Sequence, residues 1–348
     1  MAIATNKSSQ PLVSVLTPVY NGAEFLSECI ESVLAQTYQN WEYTIVDNCS
    51  TDGTAEIARR YAAKDSRIRL HQNTEFLRAI PNHNNALRQI SPESKYCKVV
   101  FGDDWIFPEC LEQMVAVAEE NATVGLVSAF ALEGNKVAWT GLPYPSRLVS
   151  GREICRLHFL DHIYVFGSAT TVLYRADLVR ARDPFFNENN IHADTEVCFD
   201  LMRKADFGFV HQVLSCTRVR EQSLTAMSNS LQTPYSGTLY ALSAYGRDYL
   251  SKEEFETCWN EHVAGYYDFL AKSMIKGRRD KKFWDFHKSK LNELGGGYSR
   301  TRLTGATVSA LLDAMLHPKK IFKAKQKPVK QEASQDASSP GMPAKQVR

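Results

Sequence analysis

The chain has 348 residues, 44% hydrophobic and 23% charged, which allows one large core with a smaller appendage. A formal net charge of +2 gives no reason to expect a nucleic-acid partner. Eight cysteines stand singly between Cys29 and Cys258 with no C-x-x-C pair, which argues against a zinc knuckle or thioredoxin-like motif and for a reducing compartment.

The first half alternates short apolar runs with helical patterns. Val13 to Leu16 reads as a strand entering Thr17-Pro18, and Phe25, Leu26, Cys29, Ile30, Val33 and Leu34 recur at helical spacing between Ala23 and Gln36. Tyr43 to Val46 reads as a second strand, Asp47 to Gly53 as a turn, and the stretch with Ile57, Ala58 and Tyr61 as a helix. A short strand at Ile68 to Leu70 precedes a helix around Asn84 to Gln89. Tyr96 to Phe101 is a buried-type strand ending at Gly102-Asp103-Asp104; Pro108 opens another helix, and Val124 to Ala129 is a further strand. This alternation predicts an α/β fold, a mostly parallel central sheet with helices on both faces.

After Ala129 the pattern loosens. Glu133 to Lys136 reads as a hairpin turn, Ala169 to Tyr174 as a strand and Thr195 to Lys204 as a helix. Thr238 to Leu294 is helical and rich in aromatics, Gly295 to Gly297 breaks it, and Leu303 to Phe322 is a last amphipathic candidate. Beyond Lys323 large apolar residues almost vanish, so a disordered basic tail is expected. The expected division is a flexible N-terminus (1–10), an α/β domain (11–225), a helical C-terminal region (226–322) and the tail (323–348).

In open parallel sheets, ligands bind beyond the carboxyl ends of the strands. Three polar groups fall at such ends: Thr17 to Asn21, Asp47 to Asp52, and Asp103-Asp104. Asp47 suits hydrogen bonding to a base N–H or a ribose hydroxyl, although a turn or cap residue would look the same. Pro18-Val19-Tyr20-Asn21 stands where a dinucleotide fold would carry its glycines, which disfavours a nicotinamide cofactor. Asp103-Asp104 could cap a helix before Pro108, but two adjacent acids at a strand end are costly unless a cation or donors compensate them, which favours a hard divalent cation shared with substrate phosphates. Asp194 and Glu196, at a helix start, are both candidate bases for an acceptor hydroxyl, and spacing does not choose between them.

With these residues in view, Pro11 to Thr225 resembles the family 2 glycosyltransferases. The stretch VSVLTPVYNGAEFLSECIESVLAQTYQNWEYTIVDNCSTDGT is similar to the family's opening almost throughout. The resemblance implies a GT-A nucleotide-binding fold, Rossmann-like, and an inverting sugar transfer. It implies that Pro18, Val19 and Tyr20 line the base and ribose pocket, that Asp47 bonds the base, and that Asp103 lies near the ribose. It also implies that Asp104 binds the metal, manganese or magnesium, and that Asp194 is the catalytic base with Glu196 in support. The sequence departs from the pattern in two places: Gly102-Asp103-Asp104 lacks an earlier aspartate, and Ala193 stands before Asp194. Arg218 and Arg220 stand where an Arg-x-His-x-x-Ser-like segment is common; they would meet phosphate or pair with surface acids. The Q-x-x-R-W motif of processive synthases is absent.

The expected partners are a nucleoside-diphosphate sugar donor and a glycan or lipid-linked acceptor, in cell-surface polysaccharide biosynthesis. A sugar-nucleotide-binding protein without turnover is the alternative, and it could dispense with Asp194. The opening MAIATNKSSQ has no apolar signal core and no run is long enough to span a bilayer, so a cytoplasmic protein is expected, free or peripheral at the membrane's inner face.

Overall fold

The structure is a computed structural model and describes residues 10–220, 224–294 and 296–316. The expected flexible N-terminus (1–9 of it), Gly295 and the expected tail lie outside the described residues, as does the end of the last amphipathic candidate.

Strand β1 (Val13–Val19) is buried at every position, as suits a strand covered on both faces. Helix α1 (Leu26–Leu34) buries Leu26, Cys29, Ile30 and Val33, one stripe at helical spacing. The alternation continues through β2 (Trp41–Asp47), α2 (Thr54–Ala62), β3 (Ile68–Gln72), α3 (Ala79–Leu87) and β4 (Tyr96–Val99). There follow β5 (Trp105–Ile106), α4 (Cys110–Glu120), β6 (Val124–Glu133), β7 (Lys136–Ala138), β8 (Leu148–Val149) and α5 (Gly151–Asp161). After a 3-10 turn at Ala169–Thr171 come β9 (Leu173–Arg175), α6 (Ala176–Arg180), α7 (Ala193–Leu201) and β10 (Asp206–Thr217). The remaining elements are helices: α8 (Leu224–Leu231), α9 (Pro234–Tyr249), α10 (Lys252–Ile275), α11 (Lys281–Glu293) and α12 (Arg300–Leu316).

The strands form one sheet in the order β3-β2-β1-β4-β9-β6-β10-β5, with β7 beside β6 and β8 beside β10. The first four are mutually parallel, as expected. The second half is mixed. β9 runs antiparallel to both β4 and β6, β6 and β10 are parallel, and β5, β7 and β8 pair antiparallel. One core, with α1, α2 and α4, covers one side of the sheet. A second core gathers residues of α3, α5, α6, α7, α9 and the start of α10.

Differences from the sequence reading are local. The helix expected around Asn84 to Gln89 runs from Ala79 to Leu87. The strand expected at Ala169 begins only at Leu173, because Ala169–Thr171 closes into the 3-10 turn. The hairpin at Glu133 to Lys136 is present, with Gly134 at φ 60 as the tight turn requires. Strand β10, with 12 residues, was not legible: register shifts between Val210 and Val213 and between Val213 and Ser215 break its alternation.

The chain divides into two compact units. One comprises Met1–Tyr266 and Asp280–Tyr298 and contains the sheet; the other comprises Tyr267–Arg279 and Ser299–Arg348.

Candidate functional site

The site is assembled at the carboxyl end of the parallel strands. Registering Val19 against Asp47 brings the ends of β1 and β2 side by side. The loops that follow are tied to each other. The amide of Asn21 donates to Ser50 Oγ at 2.9 Å, that of Thr51 to Asn21 Oδ1 at 2.9 Å, that of Gly22 to Thr54 Oγ1 at 2.9 Å, and that of Ala23 to Asp52 at 3.0 Å. Asn21 adopts φ 48, a left-handed conformation that asparagine tolerates better than most residues. The stretches after β1 and β2 thus form a single loop pair. A Cβ at Gly102 would stand 2.8 Å from Val19 Cγ2, so the lack of a side chain there lets β4's exit approach β1.

Pro18 and Val19 are buried, while Tyr20 is half exposed. Of the three residues expected to line the base pocket, only Tyr20 offers a substantial surface. It meets Phe76 edge to face at 4.8 Å between ring centroids, and both rings are open to solvent. Phe76 carried no signal in the sequence beyond being aromatic.

Asp47 is buried at the end of β2. Its carboxylate accepts from the Ser50 amide and from Gln72 Nε2, both at 3.3 Å. These contacts are longer than a typical N–H···O bond, so the carboxylate retains capacity for a better donor.

Asp103 and Asp104 diverge. Asp103 Oδ2 pairs with Arg220 at 3.1 Å, near the surface. Asp104 turns inward, accepting from the Thr170 hydroxyl at 2.6 Å on one oxygen and from the Arg218 amide at 3.0 Å on the other. Burial, with Asp103 beside it, pushes the Asp104 carboxyl up to about 7 against those two donors. The Arg218 guanidinium reaches Glu28 at 2.5 Å and lies over Phe25 and Trp105, and its Nε donates to the Asp103 carbonyl. Both arginines therefore sit against this acidic corner; Ser223, the end of their motif, lies outside the described residues.

Lys98, fully buried in β4, lies beneath the same corner. Its ammonium donates to the carbonyls of Thr170 and Val172. Burial lowers its pKa, with the nearby Asp104 charge opposing that shift. A lysine inside the apolar run Tyr96 to Phe101 is a signal that sequence reading passed over. Thr170 carried none.

Asp194 occupies the first turn of α7, where its Oδ1 accepts from the Thr195 amide at 2.8 Å. Burial raises its carboxyl above the ordinary range, opposed by that amide and by His192. Thr195 Oγ1 bonds Tyr164 Oη at 2.8 Å, and Tyr164 also donates to the Gly167 carbonyl. The short stretch from Tyr164 to Thr171 thus carries bonds to both regions, through Tyr164 to α7 and through Thr170 to Asp104.

Glu196 has a different place. It is buried, and its carboxylate accepts from Asn187, Asn190, Tyr240 and Tyr245. Such a saturated acceptor joins α7 to α9. Glu196→Gln sets an amide N–H₂ among donors, so a loss of about 1–3 kcal/mol in stability is expected for the bond left unmade. Urea unfolding measures it, and an unchanged midpoint would deny Glu196 this anchoring role.

Among the described residues no group of three or more His, Cys, Asp or Glu is placed to hold a metal ion. Carboxylates are the donor type a hard divalent cation takes, but here Asp103 pairs with Arg220 and Asp104 accepts from Thr170 and the Arg218 amide, so the two are not gathered on one point.

Residues 14–182, just under half of the chain, match the family described as Glycosyl transferase family 2. It is similar to TuaG of Bacillus subtilis (strain 168), a proposed teichuronic acid biosynthesis glycosyltransferase, at 33% identity over 123 residues, 35% of this chain and 48% of TuaG. The chain spans about half the length of the first curated relatives it matches, 55% and 48%. In fold it is similar to S. aureus TarS 1-349 in complex with UDP-GlcNAc, with a TM-score of 0.62 at 15% identity, over 89% of this chain and 92% of that one. It is also similar to the mannosyltransferase PcManGT from Pyrobaculum calidifontis in complex with GDP-Man and Mn2+, with a TM-score of 0.53 at 17% identity, over 93% and 86% of the two chains. The architecture is of the GT-A glycosyltransferase type, with a helical C-terminal region.

Proposed function

We propose that this chain transfers a sugar from a nucleoside-diphosphate sugar to a hydroxyl of a glycan or lipid-linked acceptor, with inversion at the anomeric carbon. The observation that carries the reading is the placing of acidic groups after parallel strands, Asp47 at the end of β2 and Asp103-Asp104 beyond β4, with Asp194 at the start of α7 tied towards them through the Tyr164 to Thr171 stretch. The TarS and PcManGT complexes hold UDP-GlcNAc and GDP-Man, which supports the donor class. TuaG's description supports a role in cell-surface polysaccharide synthesis.

In this reading Asp47 accepts from a base N–H, and the exposed Tyr20 and Phe76 rings, packed on each other, offer the base an aromatic surface. A manganese or magnesium ion held by Asp104, with Asp103 beside it, would neutralise charge on the diphosphate. Arg218 and Arg220 add positive charge to the same corner. Asp194 takes the proton from the acceptor hydroxyl as its oxygen attacks the face opposite the diphosphate. Eight free cysteines, seven of them buried, fit a reducing cytoplasm, with the peripheral membrane contact taken up below.

The reading is tested by incubating the full chain with a panel of UDP- and GDP-sugars and glycan acceptors, following nucleoside diphosphate release. Release that depends on acceptor supports it; nucleotide binding with no release for any pair would make the chain a binding protein. Within the panel, Asp47→Ala should weaken binding of the free nucleoside diphosphate by about 1.5–3 kcal/mol, the worth of a hydrogen bond to an ionised group. Titration calorimetry measures this, and equal affinity would leave Asp47 a turn residue.

A further inference from the structure

Helix α12 presents its large apolar residues outward. Val308, Leu311, Leu312, Met315 and Leu316 follow one another at i, i+3, i+4, i+7 and i+8, a single helical face, and are 41% to 76% exposed. The buried or half-buried positions are Leu303, Ala306, Thr307, Ala310 and Ala314, mostly small. A helix made only to pack on its own unit would place these the other way round.

The sequence around this helix is strongly cationic. The second unit, Tyr267–Arg279 with Ser299–Arg348, carries 14 Lys and Arg against 4 Asp and Glu, a formal +10. The whole chain is only +2, so the first unit carries −8. Directly after α12 in sequence stand Lys319, Lys320, Lys323, Lys325, Lys327 and Lys330, with no acid between Asp313 and Glu332.

We propose that the second unit is a membrane-binding module, in which the apolar face of α12 enters the interface of an anionic bilayer and the lysines and arginines hold lipid headgroups. An apolar face combined with a cationic flank is the combination that binds such surfaces, because neither signal alone gives firm attachment. At 17 residues α12 spans about 25 Å, short of a bilayer core, and no described helix is long and apolar enough to cross. The helix lies in the interface plane. A second copy is a poor occupant, since pairing two faces would bring two +10 units together. The inference goes beyond the transferase reading and does not depend on it.

The test is flotation of the full chain with vesicles of phosphatidylcholine alone or mixed with phosphatidylglycerol. The chain should float with the mixed vesicles and not with the neutral ones, and should be released as salt shortens the screening length to about 3 Å at 1 M. Leu312→Gln/Met315→Gln should lower partitioning about tenfold or more. Lys319→Glu/Lys320→Glu/Lys323→Glu should lower it most at low salt. All these side chains are exposed or beyond the described helix, so thermal melting and transfer to a soluble acceptor should be unchanged. Absence of flotation, equal flotation with neutral vesicles, or full flotation by both variants overturns the proposal. So does a dimer in sedimentation equilibrium that Leu312→Gln/Met315→Gln makes monomeric without any vesicle binding, which would assign the face to a second copy. Loss of transfer by every form, with flotation intact, would count against the proposed activity only.

Discussion

Asp104→Asn is expected to lose most sugar transfer while melting at a higher temperature than the parent at neutral pH. The two effects have one cause. Burial holds the Asp104 carboxyl at about 7, well above an unfolded aspartate. A group raised in the folded state contributes stability that is full below its unfolded pKa and is lost as pH rises through its folded pKa. Between about pH 4 and pH 7 the parent therefore loses stability at about 1.4 kcal/mol for each unit separating the two values. Asparagine has no charge to bury. It keeps an acceptor for the Arg218 amide, and the Thr170 hydroxyl turns to accept from its N–H₂. Lys98 keeps its carbonyl partners at Thr170 and Val172, and Arg218 keeps Glu28. The gain should shrink as pH falls towards 4, where the parent's carboxyl is protonated too.

The loss of transfer follows from the proposed cation. With manganese and a nucleoside diphosphate the parent should gain melting temperature by mass action, and Asp104→Asn should not. Chelator should bring the parent to the variant's rate. Full transfer in excess chelator would remove the metal from the mechanism. A variant that melts lower at neutral pH would show that the carboxylate's hydrogen bonds outweigh its desolvation.

The parallel half of the sheet was legible because β1, β2 and β4 are near-continuous apolar runs ending in polar turns. The same punctuation singled out Asp47, Asp103 and Asp104 as candidates, since ligands bind beyond the strands' carboxyl ends in this architecture. What stayed hidden depends on contacts distant in sequence. Thr170 reaches Asp104 across 66 positions, and Tyr240 and Tyr245 reach Glu196 across 44 and 49. Neither spacing nor composition distinguishes such partners from surface residues. Strand β10 escaped because its bulges place His211 and Gln212 inside an otherwise buried run. Spacing left Asp194 and Glu196 as equals, and packing separates them: Glu196 is enclosed by four donor side chains, whereas Asp194 accepts from the amide of its own turn.

Asp194→Asn should reduce the transfer rate by a factor of about 10²–10⁴, the usual contribution of a general base. Asparagine retains the oxygen that accepts from the Thr195 amide, so α7 should keep its first turn and the Tyr164–Thr195 bond. Donor affinity should be nearly unchanged, because the proposed nucleotide site lies at Asp47 and Tyr20, on other loops. The pH profile separates a base from a bystander. Burial raises the Asp194 carboxyl, so it is deprotonated only above the ordinary aspartate range. The parent's rate should therefore climb through an acid limb placed above that range, and the limb should vanish in Asp194→Asn. Stability runs the opposite way: the raised carboxyl favours folding at low pH and loses that advantage as pH rises through its folded value, so the variant should melt no lower than the parent at neutral pH. Glu196→Gln should show the converse pattern, with stability lost and the acid limb retained. NMR of the new linkage should give the anomeric configuration opposite to the donor's, as direct displacement requires. An Asp194→Asn enzyme as fast as its parent, or a product that retains configuration, would take the proton transfer away from Asp194 and the single displacement away from the mechanism.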